Sequence, residues 1–341
     1  MTRLARVAVA VAVAAGCTVT MLPAARADDA ARVLERARTA TVREDFSGVV
    51  QIEWVVGRRW KTVRVPVDGT GGTVQVGEGL RRAGGRGDQR WIAGVSGWQA
   101  GWDVPVDGRV PSPSAHWDIT LGKADPIAGR TTVVVTASDP ATGTDRLKVY
   151  CDKDTGVMLR REVLDRRGRV VRAVGFVDVK KLGGGRAAPP ADPVTRSTRN
   201  GRDTTPDRVS DLPDGFDAPA RVPGGFVLAG RYLRDDGTIQ LYYSDGLFGV
   251  SVFQQRGDLA RRGLPPGGDE VDVDGATAWG YAVAGGTVLV WDHDEVTRTV
   301  VSDATVADLR VFAAAFDDRS DTEPSTIERI ADFVLGPFGW R

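Results

Sequence analysis

The chain has little of what metal-binding, disulfide-held or catalytic proteins usually depend on: two cysteines and two histidines in 341 residues. His116 and His293 have no cysteine or histidine at ligand spacing, so neither a metal nor another cofactor is expected. Serines are common, but Gly94-Val95-Ser96-Gly97 lacks the spacing of a nucleophile elbow, and no helix pattern follows it. The acid pairs Asp235-Asp236 and Asp317-Asp318 fall in turn or loop contexts, where charge serves solvation. No nucleophile and base are paired, and the glycine-rich stretches lack the Lys-Ser/Thr of a phosphate loop, so the chain reads as a non-enzyme. Charge of one sign is also missing: 45 basic residues face 45 acidic ones. Without a global field, a nucleic-acid role is excluded. Long apolar runs are absent too, the longest being Val7 to Ala15, far short of the roughly 30 Å of a bilayer core.

What is present begins with a leader. Arg3 and Arg6 precede that apolar run, and Ala25-Arg26-Ala27 stands before Asp28, the layout of a secretory signal peptide over residues 1–27. A second cut is available at Ala14-Ala15-Gly16-Cys17, which would leave a lipid-anchored Cys17. Both place the chain outside the cytoplasm, in a periplasm or cell envelope. Cleavage after Ala27 removes three arginines and no acid, leaving a net charge of about −3. It also leaves Cys151 without a disulfide partner, as a small buried hydrophobe.

Residues 28–42 carry Ala30, Val33, Leu34, Ala37 and Ala40 at helical spacing, which predicts one amphipathic helix. Period-two runs follow at 48–55, 60–65, 131–136, 146–151, 158–164 and 170–179; the last three, joined by turns at 153–156 and 165–168, are expected to form an antiparallel meander. In Val157 to Val163, the apolar Val157, Leu159 and Val163 are interleaved with Met158, Arg160, Arg161 and Glu162, which implies a sheet with one wet face. Apolar content collapses over 183–211, the composition of a flexible linker. Strands at 226–233, 239–244, 248–254, 276–283 and 287–292 and a helix over 305–316 then suit a second, smaller domain over 212–316. Residues 317–341 form a tail in which Ser325 and Glu328 suggest a capping box before a short helix. The fold class is α+β, mostly antiparallel β, in two domains.

Six of the nine tryptophans fall early, at Trp54, Trp60, Trp91, Trp98, Trp102 and Trp117. They are expected to build the first domain's core, and some are candidates to line an apolar pocket for a lipid. In the second domain, Tyr243 and Leu247 flank the turn Ser244-Asp245-Gly246. They are candidates either to anchor a partner or to belong to the core.

The stretch 146–168, with its Asp154-Thr155-Gly156 turn and Leu164-Asp165 turn ending in Gly168, resembles the strand-turn-strand signature of RseB/MucB proteins. Tyr242-Tyr243-Ser244-Asp245-Gly246-Leu247-Phe248 through Phe253 is similar to that family's C-terminal strand pair, and Gly275 to Gly280 stands in the place of its later strand. The resemblance implies an N-terminal unclosed half-barrel with packed helix over 28–182, as in lipoprotein carriers, and a C-terminal β domain. It implies a regulator that binds the extracytoplasmic domain of an anti-sigma factor and senses a lipid or acyl chain. Tyr242, Tyr243, Ser244, Asp245, Gly246, Leu247 and Phe253 are then the expected partner-binding residues. A cell-envelope lipid or lipoprotein carrier is the alternative, which the second domain disfavours.

Overall fold

A computed structural model describes residues 27–70, 73–76, 110–185, 197–199, 202–204, 207–234, 236–316 and 326–327. Residues 1–26 of the leader, including Cys17, and Trp91, Trp98, Trp102 and most of the tail lie outside them. Helix α1 (Ala27–Arg43) opens on Asp28 and Asp29 and ends on Arg43, charges that suit the helix dipole. It buries Ala30, Leu34, Ala37 and Ala40 against the first sheet.

That sheet contains β1 (Phe46–Val56), β2 (Arg59–Thr70), β3 (Thr73–Val76), β4 (Asp118–Ile127), β5 (Arg130–Ser138), β6 (Asp145–Asp152), β7 (Met158–Leu164) and β8 (Val170–Leu182). Its order is β3-β2-β1-β8-β7-β6-β5-β4, antiparallel throughout and, among the described residues, open at both edges. The sequence pattern does not announce β4, because Gly122 and Pro126 interrupt it; an edge strand tolerates both. Register separates the faces. Arg161 stands opposite Val149 and Val174, and Val174 opposite Ile52; all of these are buried. Arg160 stands opposite Tyr150 and Gly175, on the wet face with Glu162, Glu53 and Gln51. There Arg64 donates to Gln51 at 2.7 Å, Tyr150 to Glu162 at 3.0 Å and Arg160 to Glu162 at 2.7 Å. The one-sided sheet is therefore present, but Arg161 belongs to its covered side. Cys151 is buried as well, and burial pushes its thiol up to about 12.

A short hairpin, β9 (Ser197–Arg199) and β10 (Arg202–Thr204), precedes the second large sheet. This comprises β11 (Asp207–Arg208), β12 (Arg221–Val222), β13 (Phe226–Leu233), β14 (Ile239–Ser244), β15 (Gly249–Arg256), β17 (Asp269–Val273), β18 (Ala276–Val283), β19 (Gly286–His293) and β20 (Val296–Ser302). Its path is β11-β13-β14-β15-β20-β19-β18-β17, with β12 beside β13. Strand β11 comes from the segment whose composition predicts a linker. The central strand β20 is hidden from hydropathy because Thr297, Arg298 and Thr299 sit inside it, all buried. Strand β16 (Asp258–Leu259) pairs in parallel with β21 (Thr326–Ile327), so the described part of the expected tail helix is extended, as suits β-branched residues. Helix α2 (Val306–Ala313) follows β20, capped by Thr305 and Asp308 in a reciprocal box that satisfies two otherwise orphaned backbone donors. Among the described residues no helix is long and apolar enough to cross a membrane.

The second core gathers on α2. Tyr243 is fully buried, with its ring 5.3 Å from Phe312 and 5.9 Å from Phe316, both edge-on. Its hydroxyl is buried without a hydrogen-bond partner among the described residues. Replacing the ring leaves a cavity, whereas removing only the oxygen relieves an unmet polar group. Tyr243→Ala is expected to lower stability by about 3–5 kcal/mol, and Tyr243→Phe to hold or raise it, as measured by denaturant unfolding.

Candidate functional site

The covered face of the first sheet carries arginines where a closed core would carry aliphatic residues. Arg161 and Arg172 on that face and Arg146 at the bulge of β6 are all buried, and each reaches across to the second domain. Arg161 donates to the carboxylate of Asp303 and, at 3.1 Å, to the Leu247 carbonyl. Its guanidinium also lies 5.4 Å from the centre of the Phe248 ring. Arg146 donates to Asp308 at 2.6 Å. From the β7–β8 turn, Arg166 reaches the other Asp308 oxygen and the Ala307 carbonyl, each at 3.2 Å. Arg172 donates to the Ala284 carbonyl at 2.6 Å, and burial holds its guanidinium down at about 10. The carboxylate acceptors lie within residues 303–308, between the end of β20 and the first turn of α2.

The turn after β14 completes this seam. Asp245 Oδ1 accepts the backbone N–H groups of Leu247 at 2.8 Å and Phe248 at 2.7 Å, so the side chain builds its own turn. Its Oδ2 accepts the Trp117 indole N–H at 3.2 Å, and the Trp117 ring packs 5.8 Å from Phe248. Gly246 adopts φ +95°, and a Cβ there would stand 2.6 Å from the Pro111 carbonyl oxygen, so only glycine lets the two domains meet so closely. Burial raises the Asp245 carboxyl to about 7, further than the donors from Phe248, Leu247 and Trp117 lower it, and the charge of Asp303 adds to the rise.

Beside the Arg161–Asp303 pair the domains leave a cleft of about 350 Å³. Its walls are mostly apolar: Trp54, Val55, Val163 and Val171 on one side, Ala282, Val283, Ala304 and Val306 on the other. Arg166, Arg167 and Arg172 supply cations and Asp303 an anion.

The residues expected to face a partner are therefore largely covered by the chain itself. Tyr243, Ser244, Asp245, Gly246 and Leu247 are buried at the seam or beneath it, Phe253 is buried with Tyr281 and Val283, and Tyr242 is half-buried. The described tryptophans are not gathered into one pocket. Trp54 lines the cleft, Trp117 is 8% exposed in the seam, and Trp60 is 52% exposed on a hairpin tip. Sequence reasoning misses the seam arginines because charge in β7 implies a solvent-facing position. Arg161 shares parity with Leu159 and Val163, and that mismatch is the available signal.

No family model matches the chain, and no curated relative does. The chain is similar to solved structures of MucB. The complex structure of Pseudomonas aeruginosa MucA/MucB matches at 20% identity and a TM-score of 0.44, over 86% of this chain and 100% of that one. MucB in complex with MucA(peri) matches at 18% and 0.44 over the same shares, and MucB at 20% and 0.43, over 84% of this chain and 97% of that one.

Two expectations follow from the seam. Arg161 Nε and Nη1 and Asp303 Oδ1 are buried without hydrogen-bond partners among the described residues, so the pair is incompletely compensated. Arg161→Met or Asp303→Leu alone should cost about 3–5 kcal/mol by stranding a buried charge, and the double variant should recover most of that loss. Calorimetry of the four proteins checks the cycle. For Asp245, the folded state holds a proton that the unfolded state releases above its ordinary value of 3.8. Its contribution to stability is thus complete below that pH and is lost as pH rises to about 7, because the unfolded state binds fewer protons throughout that window. Unfolding at stepped pH should show this slope, and Asp245→Asn should flatten it.

Proposed function

We propose that this chain is an exported regulatory binding protein whose interdomain cleft takes an apolar segment from the extracytoplasmic domain of an anti-sigma factor. One observation carries the reading: the cleft is built jointly by β1, β7 and β8 of the first sheet and by β18 and the β20–α2 connection of the second. An occupant therefore touches both domains and is sensitive to how they dock. Apolar walls with a few charged groups suit a short peptide that buries one or two side chains and fixes its direction through polar contacts. The resemblance of residues 146–168 and 242–253 to the RseB/MucB signatures supports the same reading. On it, the first sheet with α1 acts as the half-barrel of that family, and residues 28–182 and 212–316 act as its two domains.

The turn Ser244-Asp245-Gly246 enters this reading through docking. It holds the domains in the arrangement that shapes the cleft, and a partner reaches Leu247 only where the seam parts, while Tyr243 stays in the second core against Phe312 and Phe316. The leader over 1–27 delivers the protein to the compartment where such a partner is exposed.

The test is capture of membrane proteins by the chain from Asp28 onward, compared with an Ala282→Trp variant. Ala282 lines the cleft and is partly exposed, so an indole there fills the space without disturbing the core. The variant should keep its melting temperature and bind the captured partner at least about tenfold more weakly, a loss of about 1.4 kcal/mol. Equal capture by both proteins would move the partner surface elsewhere. Lipid in the purified protein that the variant lacks, with no protein captured, would favour the carrier reading.

A further inference from the structure

The β1–β2 hairpin ends in a tip that the fold does not use. After Val56 the chain turns at Gly57, where φ is +60°, and returns through Arg58, Arg59, Trp60 and Lys61, all exposed. Trp60, at 52% exposure, is among the few large apolar side chains that the described surface presents. Its cross-strand partner is Val55, which lines the interdomain cleft. The base of the hairpin thus belongs to the cleft, while the tip projects beyond it.

Composition at the tip departs from the rest of the chain. From Trp54 to Val67 there are four cations, Arg58, Arg59, Lys61 and Arg64, and no acid, in a sequence where the two signs balance overall. An indole flanked by long flexible cations is the side-chain set that settles at a lipid headgroup layer. The ring sits at the polar–apolar boundary, the aliphatic stems lie along it, and the charges meet anionic phosphates. A balanced chain has no long-range pull toward a bilayer, so attraction confined to one tip orients the molecule as well as binding it.

We infer that this hairpin tip docks the protein on an anionic membrane surface, with Trp60 at headgroup depth and Arg58, Arg59 and Lys61 on the phosphates. The inference stands independently of the partner reading, since it rests only on the tip.

Vesicle co-sedimentation of the chain from Asp28 onward tests it, using phosphatidylglycerol-containing and pure phosphatidylcholine vesicles at two salt concentrations. Binding is expected to the anionic vesicles only, and to fall as salt rises. Each cation near such a surface contributes about fivefold, so Arg58→Glu/Arg59→Glu/Lys61→Glu should weaken binding by more than about 100-fold, and Trp60→Ala by a smaller factor at unchanged melting temperature. Equal binding to neutral vesicles, no binding to either, or undiminished binding by the triple variant would overturn the inference. Loss of a captured protein on tip substitution, without vesicle binding by the parent chain, would assign the tip to a protein surface and also overturn it.

Discussion

The Arg161–Asp303 pair is the constraint around which the two sheets are arranged. A guanidinium in the middle of an apolar sheet face is tolerable only if it is hydrated or met by an opposite charge. At this position the second domain supplies that charge through Asp303. Such buried pairs add little net stability compared with apolar packing of the same shape, but they penalise every arrangement that leaves one member alone. What the pair provides here is register. It places residues 303–308 over β6 to β8, and from that placement follow the contacts of Arg146 and Arg166 with Asp308 and the approach of Gly246 to Pro111.

The same short segment serves several roles at once. Ser302 hands its hydroxyl to the Gly249 carbonyl at 2.7 Å, Asp303 meets Arg161, Thr305 caps α2, and Asp308 both completes the cap and receives two arginines. The capping carboxylate that starts the helix is thus also a docking group. A shift between the domains would therefore reach the start of α2, and through Phe312 and Phe316 the ring of Tyr243. An occupant of the neighbouring cleft would act on this linked set rather than on one domain.

Much of the chain can be read from its letters, where the periodicity is clean. α1 and the strands β5 to β8 fall where spacing places them, since their apolar positions answer to a single covered face. Edge strand β4 and central strand β20 do not. Gly122 and Pro126 break the first, and in the second Thr297 and Arg298 are buried with hydrogen bonds to the Gly257 and His293 carbonyls at 2.7 and 3.1 Å, with Thr299 buried beside them, which no hydropathy pattern registers. The seam is legible only as an anomaly. Arg161 and Arg172 occupy apolar parity in β7 and β8, and the partner that resolves this lies about 140 residues away for Arg161, beyond the reach of local pattern.

The seam is also segregated by sign: the long side chains that cross it are arginines of the first domain, and their carboxylate partners belong to the second. Were the domains to separate while still tethered, each would turn a face of opposite charge toward the other. Field-guided encounter between tethered faces is fast and weakens with ionic strength. Opening would then be brief in dilute salt and longer-lived in concentrated salt, so the ionic strength of the surrounding solution would set how long the cleft stays parted, with no change in any contact of the closed form.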